Sequence, residues 1–473
     1  MKNFLCVAVG CILIALIQAD DTKTTINVIA IEGQPGTDKG GSPSLIQANA
    51  KSYLDVIDNA KKPASPQADI IVFPEYGLTG RNQDKGNAVI INSTTISDMK
   101  NDDLTFLDGT AKKRKALLVA NVLETDGDDL YSTTVVFDGS DKLIAKYRKN
   151  NLNTTEDDKL KSDDQIATFT WNKQTIGLIS GDDILYKEPV NQLLKNNATT
   201  IIYTSSLRSI APFRTALSVH AGFAKAHGVN LIVASLNDIN NGITGSGIYG
   251  PCKTVDRYLK PAIGSHVVSG SLDMVPTTTC KSSLERKLMS AGGLGTDKNF
   301  ADILVYDYED LEYSDVLNGT NVQKAEVCKG SFCCQFNISS QSWDKDEKFR
   351  LVAGNGDYKV CALVRCTDDK DNTKCGTVTQ AVKTIFDEVD ISTSENDDFF
   401  MPYIVHTDLS PITDSSKIKF VENDDGTTFN IDNSVAKDTP VVIGIVATKS
   451  AANTLQILMT NIMLPLILLK YLF

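Results

Sequence analysis

Three short stretches carry residues toward the ends of apolar runs, and two of those residues suit acyl chemistry. In DIIVFPEYGLTG the run from Ile70 to Phe73 leads through Pro74 to Glu75. A carboxylate at the end of a buried strand is partly desolvated, which makes it a better base. In DKLIAKYRKNNLNTTE the run through Leu143 and Ile144 exits into Lys146, Tyr147, Arg148 and Lys149. A lone lysine there is ordinarily surface charge, whereas beside Glu75 a fixed ammonium would stabilise a developing oxyanion. In QTIGLISGDDILYKEP a third run reaches its turn at Gly181, which has no side chain and is flanked by Ser180 and Asp182. The sequence thus offers a base and an electrostatic residue, and no evident nucleophile between them.

The elements that must position these residues follow from hydrophobic periodicity. From Thr25 to about Val268, TINVIAIEG, DIIVFPEYG, ALLVANVL, TTVVFDG, QTIGLIS, ATTIIYTSS and NLIVASLN read as strands, short and bounded by Gly, Asn or Asp. SPSLIQANAKSYLDVIDNAKK and FRTALSVHAGFAKAHG place apolar residues at three- and four-residue spacing, so they read as helices. Strands that are apolar nearly throughout belong in sheets covered on both faces, so this half is α/β, with sheets packed between helices. Beyond about residue 295 the chain turns more acidic, richer in cysteine and strand-like, as in DILVYDYEDLEYS, YKVCALVRC and VVIGIVATK. A boundary falls between Ser290 and Ala301, which divides the chain at 20–295 and 296–449.

Three strand ends in chain order, each presenting one residue, resemble the nitrilase (carbon-nitrogen hydrolase) superfamily. The sequence is most similar to its vanin and biotinidase branch, in the manner of insect vanin-like proteins. The residues that carry the likeness are FPEYGLTG, VAN at Val119 to Asn121, YSTTVVFDGSDKLIAKYRKNNL, TGSGIYGP at Thr244 to Pro251, VCKGSFCC, VCALVRC and NTKCG. The resemblance implies a nitrilase-like α-β-β-α sandwich followed by a smaller disulfide-braced β-rich domain. It implies a small amide of the pantetheine or biotinyl type as ligand; no cofactor is expected, and zinc on the cysteine cluster is the disfavoured rival to disulfides, because histidines number four and none lies near it. In that family the Glu deprotonates a thiol, the thiolate attacks an amide carbonyl, and the Lys stabilises the tetrahedral intermediate. Glu75 matches the base, Lys149 the electrostatic residue and Glu156 an auxiliary carboxylate. Asn121 matches a residue near the pocket, able to bond a substrate amide or simply to close a turn.

The nucleophile is where the pattern breaks. Gly177, Leu178, Ile179 and Ser180 lead to Gly181 where the family has cysteine, and DIL follows at Asp183 to Leu185. No cysteine lies between Cys11 and Cys252, so no register shift supplies one. The chain is therefore expected to be an inactive pantetheinase-like homologue, with Glu75 and Lys149 surviving as a ligand-binding or structural ion pair. The alternative is an amidohydrolase that uses Ser180, or water activated by Glu75 in the space that glycine vacates. A third reading is an otherwise active enzyme with a sequence peculiarity at this one position.

Cellular setting is legible at both ends. Phe4 to Ile17 is an apolar run after Lys2 and before the small residue Ala19, which reads as a secretory signal peptide over 1–19, or else as a short anchor. LQILMTNIMLPLILLKYLF, preceded by Ser450, Ala451 and Ala452, reads as a GPI-attachment signal over 450–473 with Ser450 the candidate site; a retained span and an amphipathic end are the rivals. Sequons stand at Asn92, Asn153, Asn197, Asn318 and Asn337. Removing the signal leaves eight cysteines: Cys252, Cys280, Cys328, Cys333, Cys334, Cys361, Cys366 and Cys375. An even set in a secreted chain suggests disulfides, with pairing open except that adjacent Cys333 and Cys334 need different partners. A formal net charge of −12 disfavours nucleic acid, which needs clustered Lys and Arg. His220 and His227 lie seven apart on one helix, more in keeping with packing than with metal. TGSGIYGP reads as a turn at the pocket rim.

Overall fold

The computed structural model describes residues 24–448 except 37–43, 61–66, 154–155, 157–158, 261, 277, 279, 281–303, 318–321, 378–381, 396–398, 407–417, 424 and 433–439. The expected boundary, the signal peptide, Asn318 and Ser450 lie outside the described residues.

The first half supplies strands β1 (Thr25–Glu32), β2 (Ile70–Val72), β3 (Leu117–Asp126), β4 (Asp129–Phe137), β5 (Leu143–Arg148), β6 (Thr168–Trp171), β7 (Gln174–Ser180), β8 (Thr200–Ser205), β9 (Ile210–Ala211), β10 (Asn230–Ser235), β11 (Gly247–Gly250), β12 (Lys253–Arg257) and β13 (His266–Asp273). Its helices are α1 (Leu45–Asp58), α2 (Ile96–Met99), α3 (Asp102–Arg114), α4 (Lys187–Lys195) and α5 (Ala216–His227). One six-stranded sheet runs β13-β1-β2-β3-β4-β5 and a second runs β12-β11-β10-β8-β7-β6. Alternation along each strand decides what packs where, because successive side chains point to opposite faces. Ile26, Val28 and Ala30 of β1 meet Ile176 and Leu178 of β7 and Ile202 of β8 between the sheets. Ile29, Ile31, Ile71 and Phe73 face outward onto Ile46, Ala50 and Tyr53 of α1 and Leu104 and Leu107 of α3. The second sheet's outer face carries Ile179, Ile201 and Tyr203 against α4 and α5. The result is the expected α-β-β-α sandwich. The start of α3 is fixed by Asn101, whose side chain accepts from the amides of Asp103 and Leu104. Acidic residues in its first turn and basic ones in its last complement the helix dipole.

The second half adds β14 (Val305–Tyr306), β15 (Leu311–Tyr313), β16 (Val322–Lys329), β17 (Phe332–Ser342), β18 (Lys348–Asn355), β19 (Tyr358–Cys366), β20 (Ile385–Thr393), β21 (Phe399–His406), β22 (Ile418–Asn423), β23 (Gly426–Asp432) and β24 (Pro440–Thr448). These form two further sheets, β15-β18-β19-β24-β21 and β16-β17-β20-β23-β22, while β14 pairs with β9 of the first half. The eight cysteines expected to pair are bonded as Cys252–Cys280, Cys328–Cys333, Cys334–Cys361 and Cys366–Cys375. Cys333 and Cys334 alternate across β17, so one closes a hairpin with β16 and the other crosses to β19 in the facing sheet. The β-rich part covers α5. Tyr403 Oη sits 2.8 Å from the Thr215 amide and 3.0 Å from the Pro212 carbonyl, and Ser218 donates to the Ile404 carbonyl at 2.6 Å.

Candidate active site

Glu75 lies three residues beyond β2, Lys149 directly follows β5 and Gly181 directly follows β7, so one residue emerges from each of three strand ends. The structure brings them together. Lys149 Nζ lies 3.3 Å from Glu75 Oε1 and 2.7 and 2.9 Å from the two oxygens of Glu156, and all three side chains are buried. Tyr76 Oη donates to Glu156 Oε1 at 2.6 Å. Burial of charge is costly unless it is paired, and here one ammonium serves two carboxylates. Burial pushes Glu75 up to about 7; Lys149 pulls the other way, while Glu156 and Asp182 add repulsion. Burial also works against the Lys149 ammonium, but Glu75, Tyr76, Asp182 and Glu156 together outweigh it and hold the lysine well above its ordinary value. Glu75 is therefore a base poised near neutrality beside a permanent cation.

Gly181 has a φ of +52°, in the left-handed region that favours glycine. A Cβ built there would overlap Nζ and Cε of Lys149 and come within 2.7 Å of Glu75 Oε2. The space that the missing side chain leaves is thus filled by the lysine's own end. This corrects the expectation of a vacancy at glycine where water could be activated. Ser180 is also misplaced for the role considered for it: its hydroxyl lies 3.0 Å from Thr204 Oγ1 and 3.3 Å from the Thr204 carbonyl, and it is hydrogen-bonded to neither Glu75 nor Lys149. Adjacent residues at a strand end diverge, so a serine before Gly181 does not point where a side chain at Gly181 would.

The hydroxyls that do reach Glu75 come from residues the sequence did not single out. Ser132 of β4 donates to Oε1 at 3.1 Å, and Ser206, just past β8, donates to Oε2 at 2.5 Å. Both lie in runs of small polar residues that carry no spacing signal. Asn121 is fully engaged within the protein, accepting from the Tyr76 amide at 3.1 Å and donating to Ser132 at 3.0 Å and Thr134 at 3.3 Å. Its amide closes the turn that holds Glu75, the second of the two roles expected for it. Asp182 is partly exposed and accepts from Asn153 Nδ2 at 3.0 Å, while the Asn153 amide donates to Glu156.

Other sequence candidates fall elsewhere. His220 is buried near Tyr203 and Tyr249, and His227 is half-buried and stacked on Phe399; desolvation pushes each down to about 3. Both are neutral packing residues, His220 in the core and His227 at its edge. TGSGIYGP is a turn only over Thr244 to Ser246, which grips the buried Glu32 carboxylate; Gly247–Gly250 is a strand, drawn into the sheet because Ile248 fills the inter-sheet core. Asn92, Asn197 and Asn337 are exposed and Asn153 is partly buried. Among the described residues, Glu326, Cys328 and Cys333 come close enough to hold a metal, but the two cysteines are joined to each other.

Residues 29–240 match the carbon-nitrogen hydrolase family, and residues 304–452 match the vanin C-terminal domain. A pantetheinase of Bos taurus is 26% identical over 419 residues, covering 78% of this chain and 79% of its own. A biotinidase of Takifugu rubripes is 26% identical over 383 residues, covering 68% and 74%. Vanin-like protein 3 of Drosophila melanogaster is 26% identical over 351 residues, covering 68% and 65%. The chain belongs to the nitrilase superfamily of carbon-nitrogen hydrolases, in its vanin and biotinidase branch.

Proposed function

We propose that this protein is a pantetheinase-like homologue without thiol chemistry, in which Gly181 stands at the nucleophile's position and Glu75, Lys149 and Glu156 persist as a buried charge cluster. The observation that supports it most is the lysine end lodged against Gly181, where a catalytic side chain would have to sit. An amide bound there would meet a cation and a base but no thiolate, and losing one member of a cooperating catalytic set can cost on the order of 10⁶-fold in rate. The relatives named pantetheinase suggest a pantetheine-type amide as the ligand class to test.

The protein is secreted and held at the outer cell surface by a lipid attached near Ser450, with glycans at exposed sequons such as Asn92, Asn197 and Asn337. Four disulfides support an oxidising compartment. No helix among the described residues is long and apolar enough to cross a membrane.

The experiment is cysteamine release from pantetheine by the purified chain beside Glu75→Gln. Equal silence from both is expected, and wild-type turnover that disappears in Glu75→Gln would overturn the reading.

A further inference from the structure

We propose that Ser206 is a nucleophile toward activated acyl groups, with Glu75 as its general base, so that the protein retains an ester- or thioester-directed acyl-transfer activity independent of any thiol. Ser206 Oγ donates to Glu75 Oε2 at 2.5 Å, the shorter of the two hydroxyl contacts to that carboxylate. The other oxygen, Oε1, is 3.3 Å from Lys149 Nζ. A hydroxyl, a carboxylate and an ammonium therefore stand in sequence, the arrangement a nucleophile needs when its base is in turn oriented by a third group. Exposure separates Ser206 from its neighbours. Ser132, Ser180 and Thr204 are buried, whereas Ser206 is only partly so. The Glu75 carboxyl, titrating near neutrality, is a stronger base than an ordinary carboxylate.

The chemistry balances with these groups alone. Ser206 Oγ attacks the acyl carbon as its proton passes to Glu75. The tetrahedral intermediate collapses with the proton returned to the departing alcohol or thiol, leaving an acyl-serine. Water then attacks that ester as it gives a proton to Glu75, and Glu75 passes that proton to Ser206 Oγ as the acyl–oxygen bond breaks, which releases the acid and free Ser206. Esters and thioesters qualify because their leaving groups depart at least as readily as the serine oxygen. An amide nitrogen does not, which keeps this activity distinct from pantetheine hydrolysis.

The test is labelling of the full folded chain by a fluorophosphonate, whose phosphorus takes the serine oxygen as fluoride leaves, followed by peptide mapping. Label on Ser206 is expected, absent in Ser206→Ala and slowed about 100-fold in Glu75→Gln. The wild-type rate should rise with pH through about 7 as the carboxyl loses its proton. Thermal unfolding of both variants checks that they fold, and Glu75→Gln keeps the question open to refutation should Ser206→Ala not. Label on another residue, no label on folded wild type, or an unchanged rate in Glu75→Gln would overturn the proposal and leave Ser206 as a hydrogen-bond cap. Cysteamine release reads the loss of thiol chemistry separately, so either proposal can fail without the other.

Discussion

Adding one methyl group at Gly181 probes the site directly. In Gly181→Ala the new Cβ meets two costs. The backbone at φ +52° is left-handed, which for a non-glycine residue costs about 1–3 kcal/mol. The methyl would also overlap Nζ and Cε of Lys149, so the lysine must withdraw and loosen its bonds to Glu75 and Glu156. A hydrogen bond to a charged group contributes about 1.5–3 kcal/mol, so losing one brings the total to roughly 2.5–6 kcal/mol. Urea unfolding at pH 7, with an unchanged m-value, measures this as a shift in midpoint. A double-mutant cycle with Lys149→Ala separates the two costs. Without the lysine end, the methyl should cost the backbone term and the approach to Glu75 Oε2, which is present in both backgrounds, leaving a coupling of about 1.5–3 kcal/mol between the sites. An equal cost in both backgrounds would refute the claim that Lys149 fills the space at Gly181.

Glu32 provides a pH test away from the cluster. Its buried carboxyl titrates at about 7 against an ordinary 4.5, with burial the main cause, so the folded chain holds a proton that the unfolded chain releases in that window. That contribution is fully present below about 4.5 and lost as pH rises through about 7, a change of about 3 kcal/mol that Glu32→Gln should abolish in unfolding measured across pH. Tyr403→Phe removes the hydroxyl that bonds Thr215 and Pro212, and should lower stability by about 1–2 kcal/mol in thermal unfolding while leaving fluorophosphonate labelling at Ser206 intact. Replacing Cys334 and Cys361 together by alanine opens the bond between the two β-rich sheets and should cost about 2–4 kcal/mol in urea unfolding.

The parts of this molecule written in periodicity were readable from the sequence. Strand ends at Glu75, Lys149 and Gly181 follow from apolar runs with clear stops, and burial on both faces of β1 and β7 follows from their nearly continuous apolar character. Helix α3 escapes that reading because only Leu104, Leu107 and Ala111 of its apolar residues are buried, and DDLTFLDGTAKKR looks polar. The cysteine pairing needed coordinates, since order along the chain permits many partners. At the site, what stayed hidden was direction. Ser180 and Ser206 are both serines at strand ends, and only the backbone decides that Ser206 bonds Glu75 while Ser180 turns to Thr204. The filling of the space beside Gly181 was equally hidden. A flexible lysine settles where two buried carboxylates draw it, and that is a property of three strand ends assembled, not of any one stretch.

The most direct test of the central claim is a rate. Cysteamine release from saturating pantetheine, followed at high protein concentration, should lie on the order of 10⁶-fold below the roughly 10 s⁻¹ typical of enzymes, and should match Glu75→Gln. A rate within about 100-fold of that typical value, abolished by Glu75→Gln, would contradict the account and show that this site cleaves amides without a thiol.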